Sequence, residues 1–112
     1  MERFVKGDVV VIPFPFSDLS ASKKRPALVL AALEFDDYLL CQITSKAKSD
    51  RYSVKLEQKD FKEGSLKVNS FIRTGRLFTA YKSLILYKKG SLKEQKLVEV
   101  IDKLINILKT DK

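Results

Sequence analysis

Histidine is absent from the 112 residues, and cysteine occurs once. Without histidine, Ser-His-Asp and Cys-His nucleophile systems and the usual zinc sites are excluded. Any catalysis must therefore use Arg, Lys, Thr, Ser, Tyr, Asp or Glu. The single cysteine, Cys41, cannot form an internal disulfide and follows the apolar residues Tyr38–Leu40. That context predicts a buried, unreactive thiol.

Glycine clusters and long apolar runs are also missing. The four glycines are scattered along the chain, so no glycine-rich phosphate loop is present. No apolar run approaches the roughly 20 residues of a membrane span, so no membrane association is expected. The first residues lack a signal-peptide pattern, which predicts a cytoplasmic location. With 45% hydrophobic and 32% charged residues, the sequence predicts a single globular domain over residues 1–112.

The charge is strongly unbalanced. Lysine and arginine number 22 against 14 acidic residues, which gives a formal net charge of +8. Such an excess favours a polyanionic partner, with nucleic acid as the first candidate and an acidic protein as the second.

Short β-forming segments separated by turns account for most of the chain. Together they predict a mainly β fold with a C-terminal α-helix, arranged as a small barrel or sandwich. Pro13 and Pro15 require the first strand to end, bulge or become an edge there. The predicted strands are Val9–Phe14, Ala27–Ala32, Tyr38–Thr44, Tyr52–Leu56, Val68–Thr74 and Ser83–Tyr87, with Leu77–Tyr81 either a strand or a helical turn and Lys59–Lys67 a turn region.

One helix is predicted near the C-terminus. Ser91 followed by Glu94 matches a capping box, which predicts a helix that begins at Ser91. Apolar residues from Leu97 to Leu108 recur at helical spacing and predict a face that covers one end of the barrel. A face this wide also permits a dimer interface.

Two basic segments are expected to meet at one edge of the sheet. Lys23, Lys24 and Arg25 precede the strand Ala27–Ala32, and Pro26 restricts the backbone of Arg25. If this strand pairs with the next through a hairpin turn at Glu34–Asp37, Arg25 lies close to Thr44. A guanidinium beside a hydroxyl is suited to bind phosphate. Taken alone, Arg25 is equally well explained as a surface charge beside a strand.

Several short motifs follow one another along the chain: Gly7–Val10, Lys24–Leu30, Gln42–Ser45, Asp60-Phe61, Gly64–Leu66, Ser70–Arg73 and the C-terminal helix. Their order resembles the MazF/PemK family of toxin endoribonucleases of type II toxin–antitoxin systems. The resemblance implies a small SH3-like, CcdB/MazF-type barrel, a homodimer, and cleavage of single-stranded RNA at short sequences without a metal or cofactor. It also implies inhibition by a cognate antitoxin, which we expect to be acidic.

The same resemblance assigns the catalytic roles to Arg25 and Thr44. In the implied reaction an RNA 2′-hydroxyl attacks the adjacent phosphorus, the 5′-oxygen leaves, and a 2′,3′-cyclic phosphate remains. Arg25 would stabilise the charge that develops on the phosphate oxygens, and Thr44 would donate a hydrogen bond. The expected RNA-binding residues are Phe16, Ser17, Ser20, Ser22, Lys23, Lys24, Ser45, Lys46, Lys48, Arg73 and Arg76.

Two other functions remain open at this point. One is a non-catalytic barrel that binds nucleic acid through the same basic face. The other is a toxin of the same fold that acts on a protein target such as gyrase. Phe16 illustrates the ambiguity, because its ring could stack on a base or equally plug the end of the barrel.

Overall fold

A computed structural model of the chain describes residues 3–15, 22–46 and 51–110. The described residues form a mainly β structure with a C-terminal helix, as the sequence predicts. No helix in these ranges is long and apolar enough to cross a membrane. The elements are β1 (Asp8–Pro15), β2 (Ser22–Ala32), β3 (Asp37–Thr44), β4 (Ser53–Leu56), β5 (Phe61–Gly64), β6 (Ser70–Tyr81), β7 (Tyr87–Leu92) and α1 (Glu94–Lys109).

All seven strands belong to one antiparallel sheet in the order β4-β6-β3-β2-β1-β7-β5. The sheet curls into a half-barrel, and each of its faces carries an apolar cluster because side chains alternate along every strand. The inner cluster includes Leu28, Ile43 and Ile72 and is covered by α1, whose Val100 is fully buried in it. The outer cluster includes Ile12, Val29 and Leu40. The prediction that the helix covers the barrel is confirmed.

The start of the helix is predicted wrongly. Ser91 is a buried residue of β7, paired with Asp8 on one side and Glu63 on the other. The helix begins at Glu94 after Lys93, and no side chain caps it. Pairing with two strands outweighs the local capping signal, because it satisfies the backbone of Ser91 within the sheet.

Three strand assignments also differ. β6 runs through Gly75, so Leu77–Tyr81 is a strand and continues the predicted Val68–Thr74 segment. The predicted strand Ser83–Tyr87 is wrong, since residues 82–84 form a 3₁₀ turn before β7. The predicted turn at Lys59–Lys67 contains β5.

The prolines of β1 are tolerated because pairing on one side of the strand ends before they occur. β7 pairs with β1 only as far as Val11, whereas β2 pairs along β1 as far as Pro15 and Ser22. Pro13 and Pro15 therefore lie in an edge segment of β1, which is one of the three outcomes that the sequence predicts.

Gly64 and Gly90 form a close backbone contact between β5 and β7. Gly64 has φ +74°, and a Cβ added there would strike the carbonyl of Lys89. We expect Gly64→Ala to lower the free energy of unfolding by about 2–5 kcal/mol, from the left-handed backbone and the overpacking together. Gly75→Ala is the matched control, because its nearest contact would be 3.9 Å away in Tyr52. Urea denaturation measures the free energy of unfolding of both variants. Equal values for Gly64→Ala and Gly75→Ala would contradict this role of Gly64.

Cys41 is a fully buried thiol, as predicted, and its Sγ donates to the carbonyl of Arg73 at 3.0 Å. Burial raises the pKa of the Cys41 thiol from 9.0 to about 12. Above pH 9.0 the unfolded thiol loses its proton while the folded one keeps it. We therefore expect stability to fall there by about 1.4 kcal/mol per pH unit from this group. Urea denaturation at several alkaline pH values should show a shallower decline in Cys41→Ala; parallel curves would contradict this.

Candidate nucleic-acid interface

The hairpin of β2 and β3 brings Arg25 and Thr44 to the same part of the sheet. The two strands pair antiparallel. The first pair is Ala32 with Tyr38, the last is Ala27 with Gln42, and the register shifts once between them. Continuing that register by two positions places Arg25 across from Thr44, as the sequence predicts. Alternation puts both residues on the outer face, because Val29 and Leu40 lie in the outer cluster.

Arg25 lies within β2 rather than at the end of a loop. The strand begins at Ser22, five residues before the predicted start at Ala27, because Lys23, Lys24 and Arg25 pair with Phe14, Pro13 and Ile12 of β1. The polar sequence conceals this extension of the strand. Arg25 is therefore held by the sheet itself, in a half-buried position.

Thr44 is buried at the end of β3, with 7% of its surface exposed. Its Oγ1 accepts a hydrogen bond from the backbone N–H of Lys46 at 3.2 Å. This bond uses the oxygen as an acceptor, and the hydroxyl hydrogen can be donated to a ligand. It also fixes the turn that carries Ser45 and Lys46 away from the strand.

A cavity of about 470 Å³ lies beside this edge of the sheet, and we call it the basic cavity. Its volume is within the range of ligand sites in proteins. Among the described residues that line it, five are cationic and none is acidic. The lining consists of Val11, Lys24, Arg25, Pro26, Ile43, Ser45, Lys46, Leu66, Lys67, Val68, Ser70, Tyr87 and Lys89.

The lysines of the basic cavity form no ion pairs within the described ranges, whereas Lys88 and Lys96, which lie outside it, do. The Nζ of Lys88 lies 3.4 Å from Oδ1 of Asp8 and 3.8 Å from Oε2 of Glu63. The Nζ of Lys96 lies 2.9 Å from Oε1 of Glu99. Lys24, Lys46, Lys67 and Lys89 have no such carboxylate neighbours among the described residues. Their charge is therefore available to an anion in the cavity.

Four of the predicted site residues line the basic cavity together: Lys24, Arg25, Ser45 and Lys46. Thr44 does not line the basic cavity itself; it lies between the lining residues Ile43 and Ser45 and across from Arg25.

Arg73 and Arg76 are not part of the basic cavity. They line a separate cavity of about 120 Å³ with Tyr52 and Gly75. Arg73 shares the outer face with Thr44, because Thr44 pairs with Phe71 two residues earlier on β6.

The remaining predicted RNA-binding residues lie outside what the structure describes. Phe16, Ser17, Ser20 and Lys48 fall outside the described ranges, and of Ser22 and Lys23 only the backbone is described.

Sequence reasoning missed one side of the basic cavity, formed by Leu66, Lys67 and Val68 before β6 and by Tyr87 and Lys89 in β7. These residues come from the segments whose strands are predicted wrongly. No local pattern marks them, because the sheet order places β7 next to β1 and only that pairing brings Tyr87 across from Val11.

The chemistry of the site is that of an anion-binding surface. Ammonium, guanidinium and hydroxyl groups surround the basic cavity, and all of them can donate to phosphate oxygens. Within residues 3–15, 22–46 and 51–110, no group of three or more cysteines and acidic residues could hold a metal ion.

Comparison with known proteins agrees with this architecture. Residues 5–108 match the model of the PemK-like, MazF-like toxins of type II toxin–antitoxin systems. No curated protein sequence matches the chain.

Solved structures of low sequence identity share the fold. A chain of a MazE–MazF crystal structure from Deinococcus radiodurans superposes with a TM-score of 0.78 at 21% identity, over 99% of this chain and 100% of that one. An endoribonuclease in complex with its cognate antitoxin from a mycobacterial species gives 0.74 at 13% identity, over 98% and 99%. The Mycobacterium tuberculosis toxin MazF-mt6 gives 0.68 at 14% identity, over 92% and 99%. The fold is thus that of MazF, and the match over residues 5–108 shows that the chain belongs to the family of PemK-like, MazF-like toxins of type II toxin–antitoxin systems.

Proposed function

We propose that the protein is a toxin endoribonuclease that cleaves single-stranded RNA at short sequence motifs in the cytoplasm without a metal ion. The observation that carries the proposal is the basic cavity beside the Arg25–Thr44 edge of a toxin-family sheet, whose described lining contains five cations and no acidic residue. The solved endoribonucleases of the same fold support this activity. A basic surface alone would serve a binding protein as well, so the chemistry has to be tested.

The proposed reaction is an internal transfer at phosphorus. The 2′-oxygen forms a bond to the adjacent phosphorus as its proton leaves, and the bond from phosphorus to the 5′-oxygen breaks. The departing 5′-oxygen takes up a proton, which yields a 2′,3′-cyclic phosphate and a 5′-hydroxyl. Negative charge gathers on the non-bridging oxygens during this step. Arg25 is suited to bind two of them through its planar guanidinium, and Thr44 is suited to donate a third hydrogen bond.

The deciding experiment incubates the purified protein with a long single-stranded RNA in EDTA and maps the fragment ends. Discrete cuts with 5′-hydroxyl ends support the proposal. The control substrate carries a single 2′-deoxynucleotide at a mapped cut site, which removes the nucleophile and should protect that site alone. Cleavage that requires a divalent ion, or that continues at the deoxy position, would overturn the mechanism. Binding without any cleavage would favour the non-catalytic barrel.

A homodimer is part of the proposal, and the outer face offers a surface for it. Leu77, Leu84 and Leu86 expose 39%, 44% and 46% of their surface. An apolar cavity of about 350 Å³ lies beside Ile12 and Phe78 of the outer cluster, and Leu77 and Leu84 also line it. The helix offers a second candidate surface: Leu97, Val100 and Leu104 pack in the inner cluster, whereas Val98, Ile105 and Leu108 are exposed. Sedimentation equilibrium should give twice the chain mass; a monomer at micromolar concentration would contradict the dimer.

The proposed antitoxin is an acidic protein, partly disordered when free, that lays a segment across the basic cavity. The net charge of +8 and the unpaired lysines favour an acidic segment there. The toxin–antitoxin family supports such a partner. The test is competition: the acidic product of an adjacent gene should displace a labelled RNA, and failure to compete would place the antitoxin elsewhere on the toxin.

A further inference from the structure

One wall of the basic cavity is aromatic and apolar, and it faces the cationic residues of β2 and β3. Tyr87 exposes 45% of its surface and Val68 exposes 58%, while Leu66 is half-buried against the inner cluster. Exposed apolar groups inside a cationic cavity suit a ligand that has both a flat apolar part and a negative charge. A nucleotide has this combination, in its base and its phosphate.

The wall is held in place by contacts on both of its segments. Gly64 pairs with Gly90 at the point where the chain leaves β5 toward Leu66, and a Cβ on Gly90 would lie 2.5 Å from the carbonyl oxygen of Glu63. The Ser70 hydroxyl donates to the carbonyl of Val68 at 3.0 Å. The backbone of Tyr87 is fixed by its pairing with Val11. The wall therefore exists before a ligand binds, as is usual for ligand sites.

The distance across the cavity suits one nucleotide. Val11 pairs with Tyr87 on one side and with Pro26 on the other, so Tyr87 and Pro26 are two strand spacings apart, about 10 Å. Arg25 is next to Pro26. This span is comparable to the reach of a nucleotide from its phosphate to the far edge of its base. Lys89, two residues after Tyr87 on the same strand, also lines the cavity and offers a second cation to a bound strand.

We propose that Tyr87 is a specificity-determining residue that stacks on the base beside the phosphate held by Arg25, while Lys67 and Lys89 bind the neighbouring phosphate. This proposal rests on the proposed function and adds a base subsite to it. Tyr87 would position the RNA and select its sequence without touching the reacting atoms. A stacking surface of this kind favours flat bases, with preference among them set by the groups around it.

The experiment compares Tyr87→Leu with Tyr87→Phe. Leucine keeps an apolar side chain and removes the ring, whereas phenylalanine keeps the ring. Affinity is measured by fluorescence anisotropy with a 2′-O-methyl RNA that cannot be cleaved, and cut sites are mapped on a random-sequence RNA in EDTA. We expect Tyr87→Leu to weaken binding by about 5- to 150-fold and to relax the base preference at one position, and Tyr87→Phe to stay within about twofold. The effect of Tyr87→Leu on cleavage should appear as a higher KM more than as a lower kcat.

Lys62→Ala is the charge control for Lys89→Ala, because Lys62 is exposed on β5 and does not line the cavity. Only Lys89→Ala should weaken binding appreciably. If the wild type cuts RNA but Tyr87→Leu has the same affinity and cut sites, the proposed base subsite is wrong. That result would favour a peptide as the ligand of the apolar wall. If the wild type leaves RNA intact, the proposed function fails, and a loss of affinity in Tyr87→Leu would still establish the subsite. An unchanged affinity would overturn both.

Discussion

Replacing Arg25 by alanine is expected to slow RNA cleavage by about 100- to 1,000-fold, the usual effect of removing one group that stabilises a developing oxyanion. Most of the affinity for RNA should remain, since Lys24, Lys46, Lys67 and Lys89 line the same cavity and are expected to bind phosphate independently. The measurements are single-turnover cleavage in EDTA and anisotropy with an uncleavable RNA. A large fall in rate with a small fall in affinity assigns Arg25 to the reaction itself.

Two variants make this result specific. Arg25→Lys keeps the positive charge but loses the planar pair of donors, so its rate should lie between those of the wild type and of Arg25→Ala. Arg3→Ala removes an exposed arginine outside the cavity and should cut at the wild-type rate. Because Arg25 is half-buried, thermal unfolding of each variant must show that the fold is retained. Near-normal cleavage by a folded Arg25→Ala protein would remove Arg25 from the mechanism.

The part of the site that depends on one hairpin could be predicted from the sequence. A β-forming run, a short turn and a second run fix antiparallel pairing, and counting from the turn places Arg25 near Thr44. The turn itself is tight, with Phe35 and Asp36 at positive φ. The register shift between Val29 and Ala31 does not change the predicted proximity of Arg25 and Thr44, because counting residues from the turn allows for one extra residue.

The other side of the cavity depends on contacts between distant segments, and these could not be predicted. Tyr87 faces the cavity because β7 pairs with β1, nearly 80 residues earlier in the chain. The sequence Lys88-Lys89-Gly90-Ser91 is polar and contains glycine, which hides a strand whose backbone is paired on both sides. Tertiary pairing overrides weak local propensity in such segments. The misplaced helix start has the same cause, because Ser91 belongs to this strand.

Binding of single-stranded RNA is expected to weaken by about 100-fold when salt rises from about 50 to about 200 mM. Each phosphate contact with a single strand contributes a slope of about −0.7 to the logarithm of affinity against the logarithm of salt concentration. Five cations line the basic cavity. If all five contact phosphates, the total slope is about −3.5. A slope shallower than about −1 would mean that the cavity does not bind the backbone.

The slopes of single variants separate the basic cavity from the net charge of the whole protein. Lys89→Ala and Lys62→Ala lower the net charge by the same amount, so a diffuse attraction would change both slopes equally. Direct contact predicts a slope about 0.7 shallower for Lys89→Ala and an unchanged slope for Lys62→Ala. The comparison uses the uncleavable RNA in EDTA, so that neither turnover nor a divalent ion contributes. Unequal slopes therefore place the RNA backbone in the basic cavity, whether or not Arg25 cleaves it.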